Sequence, residues 1–296
     1  MSLPTSFDVP VASGVRVAFE TDRLLYQVKS TAHEKLIIQN PQFGRMMMVD
    51  GVVQVSSADE FIYHEMLSHV PLLAHGRVER VLVLGGAGGG LAKEVLKHRN
   101  VRRVLQVESD PQLVRLANTY FGAPPAGASG DRRLQLRIED AAKFVAATNE
   151  RFDLILVDSR NPRAGSLPLF SDSFFRNARG CLRPGGVLVA QIGVPFLEPV
   201  VFATIMRRSS RLFPVVACYL VPVPSVFGGP LALVWASSAL GPDSVGLNEL
   251  VSRFAAAKIE TRYYTPEVHR AAFALPRYVQ DAVDSVTRPE RLAGNG

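Results

Sequence analysis

Residues 81–90, VLVLGGAGGG, constrain this chain more than any other stretch. An apolar run that breaks directly into small residues reads as a buried strand feeding a tight loop, where backbone can approach a ligand closely. Comparable runs follow: RRVLQVE at 102–108, LQLRIED at 134–140, FDLILVD at 152–158 and GGVLVAQ at 185–191, most trailed by a helix-like segment. Near-continuous Val, Leu and Ile with polar or Gly boundaries suit a parallel sheet covered on both faces. Two later runs, PVVACYLVPVP and LALVWAS, flank the turn-rich SVFGG and read as an antiparallel pair at the sheet edge. The expected fold is α/β, a doubly wound sheet of about seven strands.

The first 56 residues differ in character. RVAFETD, YQVKST, EKLIIQN and RMMMVDGVVQV are short strand candidates separated by turn residues, as in a small antiparallel β domain. The period then changes: Phe61, Ile62, Met66, His69 and Val70 recur at helical spacing, with Ser57 and Asp59 available near the start and Pro71 near the end. Two domains are therefore expected, 1–56 and 57–296.

Three acids stand at the ends of predicted strands: Glu108, Asp140 and Asp158. In a parallel sheet they gather at the carboxyl edge, around the crevice where such folds bind ligands. Glu108 follows Gly86 at close to the roughly 20-residue interval at which an acid reaches ribose hydroxyls. Gly85, Gly86 and Gly88 allow close backbone approach. For Asp140, in IEDAAKF, capping of the next helix competes with a ligand role.

Composition narrows the field. Cys181 and Cys218 are far apart with no partner at metal-ligand spacing, so they read as reduced core residues; neither a disulfide nor a metal site is expected. The net charge of +6 comes from scattered clusters, Arg102-Arg103, Arg132-Arg133 and Arg207-Arg208-Arg211, with no interleaved aromatics, which points to a solvated surface rather than a nucleic-acid partner. No run reaches the roughly 18 apolar residues of a membrane span, and the first residues lack a basic segment followed by an apolar stretch, so no membrane partner and a cytoplasmic location are expected.

FGRMMMVDGVVQVSSADEFIYHEMLSHVPLLAHG, the Gly loop, VESD, RPGGVLVAQIGVPF and RYYTPEVHRAAFALPRYVQDAV occur in this order and together resemble the bacterial spermidine synthases, the polyamine aminopropyltransferase family. The resemblance spans about residues 20–285. It implies a small N-terminal β domain on a methyltransferase-like Rossmann domain, a homodimer or homotetramer, and decarboxylated S-adenosylmethionine as co-substrate. The implied reaction moves an aminopropyl group to putrescine and leaves methylthioadenosine. Glu108 matches the acid that binds the ribose hydroxyls, and Asp140 the acid that recognises the adenine amino group. The Gly85–Gly89 loop matches the segment beneath the thioether. Asp158 matches the first acid of the family's gate loop, which orients and deprotonates the attacking amine, and Tyr63 and His64 match the helix lining the acceptor side. Tyr263, Tyr264 and His269 fall in a stretch to which the resemblance gives an architectural role.

The amine half departs from the family pattern. Gly88 stands where the family has the carboxylate that anchors the donor's ammonium, and Asn161 replaces the second gate-loop acid, beside Arg160 and Arg163. Glu34 aligns with a family Gln, and Val226, or less well Phe227, with a family Tyr. Cations want carboxylates at close range, and truncating one partner of a buried pair typically costs about 3–5 kcal/mol. Arg160 and Arg163 are suited to a carboxylate, which S-adenosylmethionine itself carries. The expectation is thus a transferase using S-adenosylmethionine as co-substrate, moving a methyl or aminocarboxypropyl group to a small amine or amino-acid-like acceptor, with Asp158 as the catalytic carboxylate that orients or deprotonates the amine. Two alternatives stand beside it: an active aminopropyltransferase using decarboxylated S-adenosylmethionine and putrescine, and a nucleoside-binding paralogue without turnover.

Overall fold

The structure, a computed structural model, describes residues 6–29, 34–122, 131–159 and 168–287. The chain opens with the hairpin β1 (Ser6–Ala12) and β2 (Val15–Glu20). A four-stranded antiparallel sheet follows: β3 (Arg23–Lys29), β4 (Glu34–Asn40), β5 (Gly44–Val49) and β6 (Val52–Ser56), paired in chain order. Val9 and Phe19 of the hairpin pack on Leu36, Ile38, Met46 and Met48 of this sheet. The β5–β6 turn is Asp50-Gly51, both at positive φ (50° and 71°), as a two-residue hairpin loop requires.

Helix α1 (Glu60–His75) leads into the larger layer, where strands and helices alternate: β7 (Arg80–Gly85), α2 (Gly90–Leu96), β8 (Arg103–Glu108), α3 (Pro111–Phe121), β9 (Leu134–Ile138), α4 (Ala141–Ala147) and β10 (Phe152–Asp158). Then come α5 (Asp172–Gly180), β11 (Leu182–Gln191), α6 (Pro199–Leu212), β12 (Val215–Val221), β13 (Leu231–Ser237), α7 (Leu247–Ala257), α8 (Pro266–Ala272) and α9 (Arg277–Thr287). The seven strands lie in the order β12-β13-β11-β10-β7-β8-β9. β13 runs antiparallel to both neighbours, and the five strands from β11 to β9 are parallel. This is the doubly wound α/β sheet the apolar runs predict.

Both faces of the sheet are covered. Helices α1, α2 and α7 bury Met66, Leu91 and Leu250 against one face, where Val268 of α8 packs beside them and Tyr264, between α7 and α8, is also buried. On the other, α4, α5, α6 and α9 bury Phe144, Phe174, Phe202 and Val279. Helix α3 turns partly away, and its Leu113, Leu116 and Tyr120 pack against Ile37, Met47 and Val55 of the N-terminal sheet. Cys181 and Cys218 are buried thiols within the core. Tyr264 and His269 are also core residues, joined by a 2.9 Å hydrogen bond between the phenol and Nδ1.

Two local expectations change. Asp59 precedes α1 but does not cap it with its side chain. Its carboxylate instead accepts from the backbone N–H and hydroxyl of Ser225 (2.6 and 3.1 Å), fastening the start of α1 to the loop after β12. Asp140 is not part of a strand: β9 ends at Ile138, and Asp140 is the N-cap of α4, accepting from Lys143 N–H at 2.8 Å. The chain must leave the sheet ladder for the side chain to reach that donor, so capping ends the strand two residues early.

Candidate active site

The sheet order reverses between β7 and β10, and the carboxyl ends of those strands open a crevice there. Gly85 and Asp158 are register partners across it. Gly85 and Gly86 both hold positive φ (87° and 73°). A Cβ on Gly85 would collide with the Asp158 carbonyl oxygen, and one on Gly86 would stand 2.9 Å from Asp158 Oδ2. These glycines are therefore required to seat Asp158 against the loop. Gly90, at the start of α2, is likewise filled by a neighbour: its missing Cβ leaves room for the His64 imidazole. Gly88 differs, since it has no positive φ and nothing lies within 4 Å of a Cβ built there. No steric reason keeps a side chain out of position 88.

The crevice widens into a cavity of about 330 Å³ whose wall includes His64, Gly85, Gly86, Gly88, Glu108 and Asp158. Glu108 ends β8 nearly buried (7 % exposed), and its Oε1 accepts from Asp110 N–H at 2.9 Å and from the Ser109 hydroxyl at 3.3 Å. Burial raises its pKa above the ordinary carboxylate value, against the opposing pull of those hydrogen bonds. A buried carboxylate on a cavity wall, with one oxygen held by the backbone, is suited to accept a pair of adjacent hydroxyls.

The other sequence-predicted residues lie elsewhere. Asp140 is exposed, and its neighbour Ala141 forms the cavity wall in its place. Tyr63 is fully buried beside His64, their rings 5.6 Å apart. Glu34 does not line the cavity; it accepts from Gln27 Nε2 at 3.2 Å, and its backbone N–H donates to Asp50 Oδ1 at 2.8 Å. Val226 lines a separate narrow cavity of about 80 Å³ with Val53, Gln191, Glu198 and Phe227. Arg160, Asn161 and Arg163 fall outside the described residues. A larger cavity of about 530 Å³ lies behind the Gly loop, but neither Glu108 nor Asp158 reaches it.

Sequence reasoning missed several residues that shape the site. Gln106, a lone amide inside an apolar strand, donates through Nε2 to the Gly86 and Gly85 carbonyls (2.5 and 3.2 Å) and braces the loop from beneath. Its polarity within VLQVE was a usable signal. Lys35, Asp50 and Gln54 reach the cavity from the N-terminal sheet, and nothing local in the sequence marks that. Among the described residues, no group of three or more His, Cys, Asp or Glu side chains is placed to hold a metal ion, and no helix is long and apolar enough to cross a membrane.

A doubly wound sheet with a glycine-lined crevice and two strand-end acids at its switch point is a Rossmann-like architecture with a candidate ligand site. The chain belongs to the spermine/spermidine synthase family: residues 60–245 match the spermine/spermidine synthase domain, and residues 7–57 match the spermidine synthase tetramerisation domain. It is a transferase of that family. A polyamine aminopropyltransferase of Ruegeria sp. (strain TM1040) is 46% identical over 257 residues, covering 86% of this chain and 90% of the relative. One from Pseudomonas syringae pv. tomato is 41% identical, covering 91% and 94%. Among solved structures, a spermidine synthase in complex with the transition-state analogue AdoDATO superposes with a TM-score of 0.87 at 29% identity, covering 95% of both chains. The spermidine synthase of Thermotoga maritima gives 0.84 at 29% identity, covering 94% of this chain and 93% of that one.

Proposed function

We propose that this protein is a polyamine aminopropyltransferase, moving the aminopropyl group of decarboxylated S-adenosylmethionine to a diamine such as putrescine. The observation that carries the reading is the pairing of Asp158 with the Gly85-Gly86 turn in the same cavity as Glu108: one acid at the reacting end, one at the nucleoside end. Relatives above 40% identity named for this activity, and a structural neighbour holding AdoDATO, favour it over the expectation that S-adenosylmethionine itself is the donor.

In this reading Glu108 accepts the ribose hydroxyls, the Gly85–Gly88 backbone lies under the sulfonium, and Ala141 with the start of α4 borders the adenine. Asp158 orients the acceptor. The neutral amine nitrogen attacks the aminopropyl carbon bonded to sulfur, the C–S bond breaks, and its electron pair stays on sulfur in methylthioadenosine. The proton shed by the new ammonium passes to Asp158 and on to solvent. Only the unprotonated amine has a lone pair to donate, so a carboxylate that takes up the proton and holds the nitrogen in line supplies most of what the step needs. Gly88 contributes no carboxylate to the donor ammonium; the acids on the cavity wall are Asp158, Asp50 from the N-terminal sheet, and Glu108 and Asp110 at the nucleoside end. In the assembly we infer a homo-oligomer built through the N-terminal domain, 1–56, with 57–296 carrying the Gly loop and the strand-end acids of the site and the N-terminal sheet completing its wall.

The open space at Gly88 favours one further reading, S-adenosylmethionine as donor, because it leaves room for a carboxylate. Calorimetric binding of the two donors, followed by product analysis with putrescine, separates the readings. Tighter binding of the decarboxylated donor and formation of spermidine with methylthioadenosine support aminopropyl transfer. Preferential binding of S-adenosylmethionine with no spermidine formed would overturn it.

A further inference from the structure

We propose that Lys35 is a positioning residue for nucleoside recognition: reaching from the N-terminal sheet, it holds the turn between β8 and α3 in the shape that presents Glu108 to the ribose hydroxyls. The inference rests on the reading of Glu108 given above and assigns a role to a lysine outside the set the sequence marks.

Lys35 lies on β4, and its side chain is only 8 % exposed. A lysine ammonium so enclosed needs anionic or polar partners. It forms a close ion pair with Asp110 Oδ2 and donates to Gln112 Oε1 at 2.7 Å. Gln112 in turn donates through Nε2 to the Tyr26 hydroxyl at 2.8 Å, so strands β3 and β4 both grip the same turn.

Asp110 is the junction. Its Oδ1 caps α3 by accepting from the N–H groups of Gln112 and Leu113 (2.8 and 3.3 Å), and its own N–H donates to Glu108 Oε1 at 2.9 Å. Lys35 therefore acts on the ribose acid through a single intervening residue. Burial alone would raise the Asp110 pKa, but the Lys35 ammonium and the two backbone donors outweigh it and hold this carboxyl below its ordinary value. Charge explains why the turn needs the lysine. Glu108 and Asp110 are carboxylates two residues apart in one turn, and the Asp110 charge disfavours ionisation of Glu108. A cation tied to the Asp110 carboxylate offsets that repulsion and lets Glu108 remain an acceptor aimed into the cavity.

The test compares Lys35→Met with the wild type by calorimetry, using 5′-methylthioadenosine and its 2′-deoxy and 3′-deoxy forms. Met keeps the stem that packs against the cavity wall and removes the charge. In the wild type, loss of a hydroxyl that Glu108 receives should weaken binding about tenfold, the size of a charge-assisted hydrogen bond. Lys35→Met should bind the parent nucleoside about tenfold more weakly and show little further loss, under about threefold, when the hydroxyl is removed. A merely structural lysine would instead lower affinity for all three nucleosides by the same factor, and wild-type discrimination retained in Lys35→Met overturns the proposal. If the wild type itself shows no discrimination, the reading of Glu108 fails and the proposal with it. Asp110→Asn keeps the capping oxygen but weakens the ion pair, and must show the same loss of discrimination, so the test stands even if Lys35→Met does not fold.

Discussion

Asp158 leans against Gly86 so closely that a Cβ on that glycine would stand 2.9 Å from its Oδ2. The position of the proposed amine-orienting carboxylate thus depends on the absence of a side chain on the neighbouring strand's loop.

Gly86→Ala should therefore impair turnover by two routes. The positive φ of 73° strains any L-residue by about 1–2 kcal/mol, and the new methyl pushes Asp158 off its seat. We expect kcat to fall about a hundredfold with the fold retained, comparable to the lower end of the roughly 10²–10⁴-fold loss expected for Asp158→Asn. Steady-state kinetics with circular dichroism on both variants checks this; a Gly86→Ala enzyme with unchanged kcat would refute it.

Gly88→Asp should behave in the opposite way. With open space around it and no positive φ, the position accepts a side chain at a stability change within about 0.5 kcal/mol. The added carboxylate faces the donor's aminopropyl ammonium, so affinity for decarboxylated S-adenosylmethionine should rise about tenfold or more. Affinity for S-adenosylmethionine should rise less, because its own carboxylate repels the new one. Titration calorimetry with both donors reads the difference directly.

Nucleoside affinity should depend on pH through Glu108. Its raised pKa means that protonation begins above the usual carboxylate range, and the protonated form has lost acceptor capacity. Affinity for methylthioadenosine should therefore be full at neutral pH and decline as pH falls through the raised value. Glu108→Gln should bind about tenfold or more weakly at pH 7 and give a flat profile over the same range.

The stability of the fold should decline in mild acid for a reason remote from the site. Beneath α2, His69 Nδ1 and His98 Nε2 are 3.0 Å apart, and His69 Nε2 lies 3.1 Å from Glu94 Oε2, which also pairs with Lys97 at 2.5 Å. Burial, reinforced by the neighbouring His69, pulls the His98 pKa down to about 3, and burial pulls that of His269 down to about 4. Between these values and the unfolded value near 6.5, the unfolded chain binds protons that the native one refuses, so stability rises with pH across that window and is lost as pH falls. The limit is about 1.4 kcal/mol per pH unit for each such histidine. Urea denaturation at pH 4.5, 5.5 and 7 should show this slope, and His98→Asn should flatten it by about one proton.

Much of the architecture was legible along the chain because a parallel sheet buried on both faces demands unbroken apolar runs. VLVLG, VLQVE and LILVD announce themselves, and Glu108 and Asp158 at their ends mark the crevice. The error at Asp140 has a local cause: LQLRIED continues the apolar alternation, but a side chain able to cap the following helix outcompetes two more residues of ladder. Asp59 failed in the reverse sense, its carboxylate drawn away from the helix start by Ser225, 166 residues further along.

Periodicity and end-of-strand chemistry are properties of neighbours in the chain, and so the sheet, its Gly loop, its two strand-end acids and the family to which the protein belongs could all be read from the order of residues. Which polar groups meet across that order could not. Lys35 on Asp110, Gln106 under the Gly loop and the His64 ring in the space left by Gly90 are contacts between segments far apart in sequence. Their partners are chosen only when layers pack and buried polar groups must find a hydrogen bond or a counter-charge within a few ångströms. That requirement belongs to the folded interior, and the tertiary structure alone settles how each group meets it.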